Sequence, residues 1–141
     1  MIAHISCQSL QESIELAKFA ESVGCDCIGY MVSCFFKPNS VEDTAKLLAT
    51  VANAVPNIGV IYYHFPVMTG INAKVAPVLK LANELAPNVV GCKFTHTDLG
   101  DFAAGVDMGF DMIIGNGDEL ILPCLTLGGF GGFSLISMIG A

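Results

Sequence analysis

The chain has 141 residues, enough for one domain with its own hydrophobic core. Hydrophobic side chains make up 53% of it and charged ones only 13%, so most of the chain is built to be buried. Its 6 Lys+Arg against 13 Asp+Glu give a formal net charge of -7, which leaves no basic patch for nucleic acid and mainly supports solubility.

Ile2 to Ser6 reads as a short strand. A helix follows from Ser9 to Ser22: Ser9 can cap it, Glu12 stands three residues on, and Leu16, Ala17, Phe19 and Ala20 supply an apolar face closed by Gly24. The run Cys27 to Val32 is continuously apolar, as in a strand covered on both faces. After the Phe35-Phe36-Lys37-Pro38 loop, Asn39 or Ser40 caps a helix to about Ala54, with Glu42 and Asp43 in its first turn. Gly59 to His64 is a third strand ended by Pro66, and Thr69-Gly70 is a bend. Asn72 opens a helix from about Ala73 to Leu85. Val89 to Thr95 is a strand, Thr97 or Asp98 caps a short helix through Ala104, and Asp111 to Ile114 is a strand. Gly115-Asn116-Gly117 is a tight loop, Asp118 starts a helix through Leu127, Gly128 to Gly132 turns, and Phe133 to Ser137 is the last strand.

The six cysteines, at positions 7, 25, 27, 34, 92 and 124, lie mostly in apolar runs. No second pair at zinc-finger spacing follows Cys25-Asp26-Cys27, so they read as reduced thiols of a cytoplasmic protein. His4, His64 and His96 are scattered, and neither a metal site nor a cofactor is expected. Met1 to His4 lacks the basic start and long apolar segment of a signal peptide. The uncharged stretch from Leu120 to Ala141 is long enough to span a bilayer, but Pro123, five glycines and two serines interrupt it. It reads as a buried helix followed by a core strand, not as a membrane span.

Six alternations of strand and helix argue for a parallel sheet with crossover helices. A doubly wound sheet normally carries a glycine-rich fingerprint after its first strand, and only Cys7-Gln8-Ser9-Leu10 stands there. A barrel instead places polar residues at the ends of several strands, as at Tyr63-His64, Lys93-Thr95, Asn116-Asp118 and Ser134. The most informative stretch is Val89-Val90-Gly91-Cys92-Lys93-Phe94-Thr95. Strict alternation would point Val89, Gly91, Lys93 and Thr95 to one side, setting an amine among small and apolar neighbours. Burial disfavours an ammonium ion and favours a nucleophilic amine able to form a Schiff base with a keto acid. The competing reading is a lysine that snorkels out at a strand end.

Tyr62-Tyr63-His64-Phe65-Pro66 followed by Thr69-Gly70 resembles a segment of the dihydrodipicolinate synthase and N-acetylneuraminate lyase family. Gly91-Cys92-Lys93-Phe94-Thr95, with Asp98-Leu99 and Asp101-Phe102, looks like that family's Schiff-base lysine strand, in its sialate lyase form. Phe35-Phe36-Lys37-Pro38 and Asp118-Glu119 also resemble the lyase branch. The resemblance implies an α/β fold, a partial (β/α)8 TIM barrel comprising strands 3 to 8, so that residues 1–141 form one incomplete barrel domain. It implies a class I aldolase acting on pyruvate chemistry, foremost the cleavage of sialic acid to N-acetylmannosamine and pyruvate. Lys93 would form the imine and Tyr63 would pass protons. Thr95, Asn116, Asp118, Glu119 and Phe133 would touch the substrate, a small keto acid or sugar acid. The alternatives are a core role for Tyr63, and an N-cap and a first-turn acid for Asp118 and Glu119. A homotetramer is implied for the complete chain, with neither nucleic acid nor membrane as a partner.

The first strand matches the family's third, so the loop whose hydroxyls and amides hold the pyruvate carboxylate is expected to be missing, as are the C-terminal helices. Ser134-Leu135 looks like the synthase pattern, whereas Cys34 and Phe35 fall where synthases carry a Tyr-Tyr pair. These departures keep three further readings open: another 2-keto-3-deoxy sugar acid aldolase, a synthase-like enzyme, or an inactive fragment. Residues 1–141 alone are expected to be poorly soluble or partly molten, and inactive.

Overall fold

The computed structural model describes residues 1–133; the residues expected to carry most of the last strand, Ser134 to Ser137, lie outside the described region. In chain order the elements are β1 (Ile2–His4), α1 (Leu10–Ser22), β2 (Cys27–Tyr30), α2 (Val41–Asn53), β3 (Gly59–His64), α3 (Pro66–Thr69), α4 (Val75–Leu85), β4 (Val89–Phe94), α5 (Leu99–Asp107), β5 (Asp111–Ile114), a 3-10 turn (Asp118–Leu120), α6 (Ile121–Thr126) and β6 (Gly131–Gly132). The strands form one sheet in the order β1-β2-β3-β4-β5-β6, and every neighbouring pair is parallel. Sequential order without a reversal is that of a barrel wall, not of a doubly wound sheet.

Local chemistry explains the helix starts. Ser9 and Ser40 accept hydrogen bonds from the backbone N–H of Glu12 and Asp43, and Asp98 accepts from Gly100 and Asp101. Each oxygen satisfies a donor that the first helical turn leaves free. Asn72 does not open α4. That helix begins at Val75, whose N–H donates to both carboxylate oxygens of Asp101 at 3.1 Å. A tertiary acceptor thus replaces a local cap. Thr69-Gly70 is more than a bend: Pro66–Thr69 is a one-turn helix closed by Gly70 at φ 70°. The segment read as a single helix from Asp118 splits into the 3-10 turn and α6. Helix α5 runs on to Asp107 rather than stopping at Ala104.

The outer face of the sheet and the inner faces of the helices share one core. Ile28, Tyr30, Val60, Tyr62, Cys92, Phe94, Met112 and Ile114 meet Leu48, Val51, Val78, Leu79 and Phe102 there, all essentially inaccessible to solvent. Burial of this kind is worth roughly 1.5–3 kcal/mol per large side chain. In α1 the buried residues are Ser13, Ala17 and Ala20, while Phe19 is 65% exposed. The apolar face assigned from the sequence was therefore rotated: small side chains let α1 approach the sheet, and Phe19 and Leu16 point away.

Candidate active site

The inner face of the sheet carries a different set. Ile2, His4, Gly29, Ile61, Tyr63, Lys93, Ile113 and Phe133 line a cavity of about 250 Å³. Parallel register builds it: Lys93 pairs with Tyr63 on one side and with Ile113 on the other, so the three share one face. His4 ends β1, and Tyr63 and Lys93 stand one residue before the ends of β3 and β4. The polar groups therefore collect at the carboxyl ends of the strands, where barrel sites lie.

Strict alternation fails along β4. Val60 pairs with Val89 and Ile61 with Gly91, which leaves Val90 as an extra, bulged residue. Val89 is fully buried in the helix-side core and does not share a face with Lys93. Val90 is 36% exposed and approaches Gly59 instead. A bulge of this kind shifts the side-chain phase by one residue and re-aims the rest of the strand. A Cβ at Gly91 would collide with the Asp111 carbonyl, so only glycine fits where β4 crowds β5.

Lys93 is half-buried, and its Nζ lies 3.9 Å from the centre of the Tyr63 ring and 5.8 Å from that of Phe133. Attraction between an ammonium and a ring face is worth about 0.5–2 kcal/mol. The stem of Lys93 runs past Gly115: a Cβ there would stand 2.8 Å from Lys93 Cε and 2.7 Å from Thr95 Oγ1. Thr95 Oγ1 and Asp118 Oδ1 are the two buried side-chain polar atoms without a hydrogen-bond partner among the described residues. A buried polar atom without a partner is costly, and such atoms often await a ligand or water.

The structure thus brings Lys93, Tyr63 and Phe133 to one cavity and leaves Thr95 beside the lysine stem. Asn116, Asp118 and Glu119 come after β5 and do not line that cavity. Asp118 is no N-cap, since Gly117 holds that position without a side-chain bond. Glu119 is exposed, with its carboxylate folded against Gly117. His64, counted among the strand-end polar residues, faces the helices: it is 2% exposed and stacks on Phe94. Burial, reinforced by the nearby His96 and Lys74 charges, pushes its pKa down to about 4.

The sequence reading missed His4. Its ring stands edge-on to Tyr63 at 5.6 Å between centres. His4 is exposed, yet the partial loss of solvent on its cavity side, then the Lys93 charge, lowers its pKa below the ordinary value. Its place at the carboxyl end of a predicted strand was the available signal. Among the described residues, no cluster of three or more His, Cys, Asp or Glu could hold a metal, and no helix is long and apolar enough to cross a membrane. The six cysteines are free thiols.

A family model described as the dihydrodipicolinate synthetase family matches residues 1–141. The chain is 36% identical over 133 residues to N-acetylneuraminate lyase of Xenopus tropicalis, covering 93% of this chain and 43% of that protein. It is 35% identical over 135 residues to the Gallus gallus enzyme of the same name, covering 93% and 44%. Among solved structures, the N-acetylneuraminate lyase of Aliivibrio salmonicida superposes with a TM-score of 0.85 at 32% identity, covering 93% of this chain and 44% of that one. The lysine-bound dihydrodipicolinate synthase of Cyanidioschyzon merolae gives 0.83 at 34% identity, covering 96% and 46%. The chain therefore spans about half the length, or less, of the curated relatives it matches.

Proposed function

The chain belongs to the dihydrodipicolinate synthetase family, and on that premise we propose that it carries the Schiff-base centre of a pyruvate-dependent aldolase, an N-acetylneuraminate lyase. The observation that carries this reading is the Lys93 amine set 3.9 Å over the ring of Tyr63 at the carboxyl end of a parallel sheet. The curated relatives named for the lyase reaction support the choice of substrate.

In this reading Lys93 Nζ attacks the keto carbon of the sugar acid, and water leaves to give an imine. The imine withdraws electrons from the neighbouring carbon. Tyr63 Oη takes the proton from the substrate hydroxyl whose carbon becomes the aldehyde while its own phenolic proton passes to the substrate carboxylate, and the carbon–carbon bond breaks. N-acetylmannosamine leaves. The phenolic proton returns from the carboxylate through Tyr63 to the terminal carbon of the enamine left on Lys93, and water hydrolyses the resulting imine, releasing pyruvate and the free amine. Thr95 Oγ1 offers a hydrogen bond near the imine, and Phe133 closes the apolar side of the cavity. Asn116, Asp118 and Glu119 would receive the polyhydroxy tail beyond it. Such a site needs no metal or cofactor. The complete protein would act as a homotetramer in the cytoplasm.

The test is pyruvate release from N-acetylneuraminate by the complete protein that carries this sequence. Wild type should cleave it, and Glu119→Ala should lose cleavage while still forming the imine with pyruvate. A pocket that hydrogen-bonds hydroxyls discriminates strongly through the polar groups left unpaired. Cleavage of another 2-keto-3-deoxy sugar acid, with none of N-acetylneuraminate, would overturn the substrate assignment.

A further inference from the structure

His4 reaches Tyr63 across an intervening strand. In the register His4 pairs with Gly29, and Gly29 with Ile61, two residues before Tyr63. Gly29 presents no side chain on the cavity wall, and the His4 and Tyr63 rings meet at 77° with their centres 5.6 Å apart. His4 is itself held from behind. Met31 N–H donates to Ser6 Oγ at 2.7 Å, and Ser6 Oγ lies 3.0 Å from His4 Nε2. The backbone bond leaves the Ser6 proton free for the contact with Nε2. Lys93 sits on the face of Tyr63, Phe65 stacks near it, and His4 supplies the edge-to-face contact.

We propose that His4 is a positioning residue for Tyr63: anchored by Ser6 and reaching over Gly29, it fixes the plane of the phenol beside Lys93 and so sets where the Tyr63 hydroxyl exchanges protons with the substrate. The proposal rests on the Schiff-base reading above. It separates two steps that share one cavity. Attack by Lys93 on a keto carbon needs the amine, whereas proton removal from the imine's methyl carbon needs the hydroxyl at a set place. Misplacing a reacting group by about 1 Å costs roughly 10²-fold.

The complete protein is incubated with pyruvate in deuterated water and read in two ways. Borohydride reduction and mass spectrometry report the imine at Lys93. Deuterium entering the pyruvate methyl group reports proton removal to the enamine and its return. In His4→Ala, trapping at Lys93 should match wild type while exchange falls roughly 10- to 100-fold. Ser6→Ala should lower exchange in the same direction and by less. His4→Phe keeps an edge-to-face ring without nitrogens and should restore most of the exchange. Equal exchange in wild type and His4→Ala would overturn the proposal. So would a His4→Phe variant no better than His4→Ala, or loss of trapping in both His4 variants. An absent adduct in wild type would instead remove the Schiff-base reading on which the proposal stands.

Discussion

Tyr62 and Tyr63 are neighbours in the chain and opposites in the fold. Tyr62 points outward into the helix-side core, 1% exposed, and burial pushes its pKa well above the ordinary range. Tyr63 points inward, half-buried, with the Lys93 amine over its ring. His64 and His4 divide the same way: His64 stacks on buried Phe94, and His4 stands in the cavity. Cys92 and Lys93 complete the pattern, the thiol buried and its pKa raised by burial, the amine at the cavity wall. One sheet therefore separates a closed core from an open cavity by alternation. Its outer face is closed and inert, and its inner face keeps polar groups within reach of a small molecule.

That division can be broken most severely at the paired tyrosines. Tyr63→Phe should lower turnover of the complete protein by roughly 10²–10⁴ with the imine retained, as expected when a proton-transfer group is removed. Tyr62→Phe, one residue away, should leave turnover near wild type. Matched kinetics for the two variants would dissolve the distinction. Next in size is Phe94→Ala, which should cost about 3–5 kcal/mol in chemical denaturation because it opens a cavity against Phe102 and His64. Lys93→Ala should change stability by no more than about 1 kcal/mol, since its site is only half-buried.

A third outcome concerns His64. Its folded pKa of about 4 lies below the ordinary 6.5, so the unfolded chain binds more protons between those values. The stability it contributes is fully present above about pH 6.5. It is lost as the pH falls toward 4, by up to roughly 3 kcal/mol. Thermal melts from pH 7 to pH 4 should show this loss in wild type, and His64→Gln should flatten that part of the profile. The smallest effect is at α5, where Asp98→Ala should cost about 1 kcal/mol by removing an N-cap. Raised salt should not reproduce that cost, because the cap is a hydrogen bond to backbone, whereas the exposed Lys74–Asp98 pair is screened.

Much of the outer face was legible in the sequence. Gly59–His64 and Asp111–Ile114 were bounded correctly as β-branched and aromatic runs between turn residues. Ser9 announced its helix through local capping chemistry, and of the pairs Asn39 or Ser40 and Thr97 or Asp98 it is Ser40 and Asp98 that cap. Features set by contacts between distant segments were not legible. The bulge at Val90 arises from how β4 meets β3, and Gly59 makes room for it. The start of α4 depends on Asp101, 26 positions further along the chain. The inner-face cluster was half visible. Lys93 and Tyr63 stood in recognisable motifs. His4 became visible only once register carried it over Gly29, and Gly115 only once the lysine stem was seen to pass it.

Lys93 is the amine assigned to the imine. The direct measurement is borohydride reduction of the complete protein in the presence of pyruvate, followed by peptide mass spectrometry. One covalent pyruvyl adduct is expected, located at Lys93, formed by wild type and Tyr63→Phe and absent from Lys93→Ala. An adduct at Lys37 or Lys74, or none at all with pyruvate in excess, would contradict it.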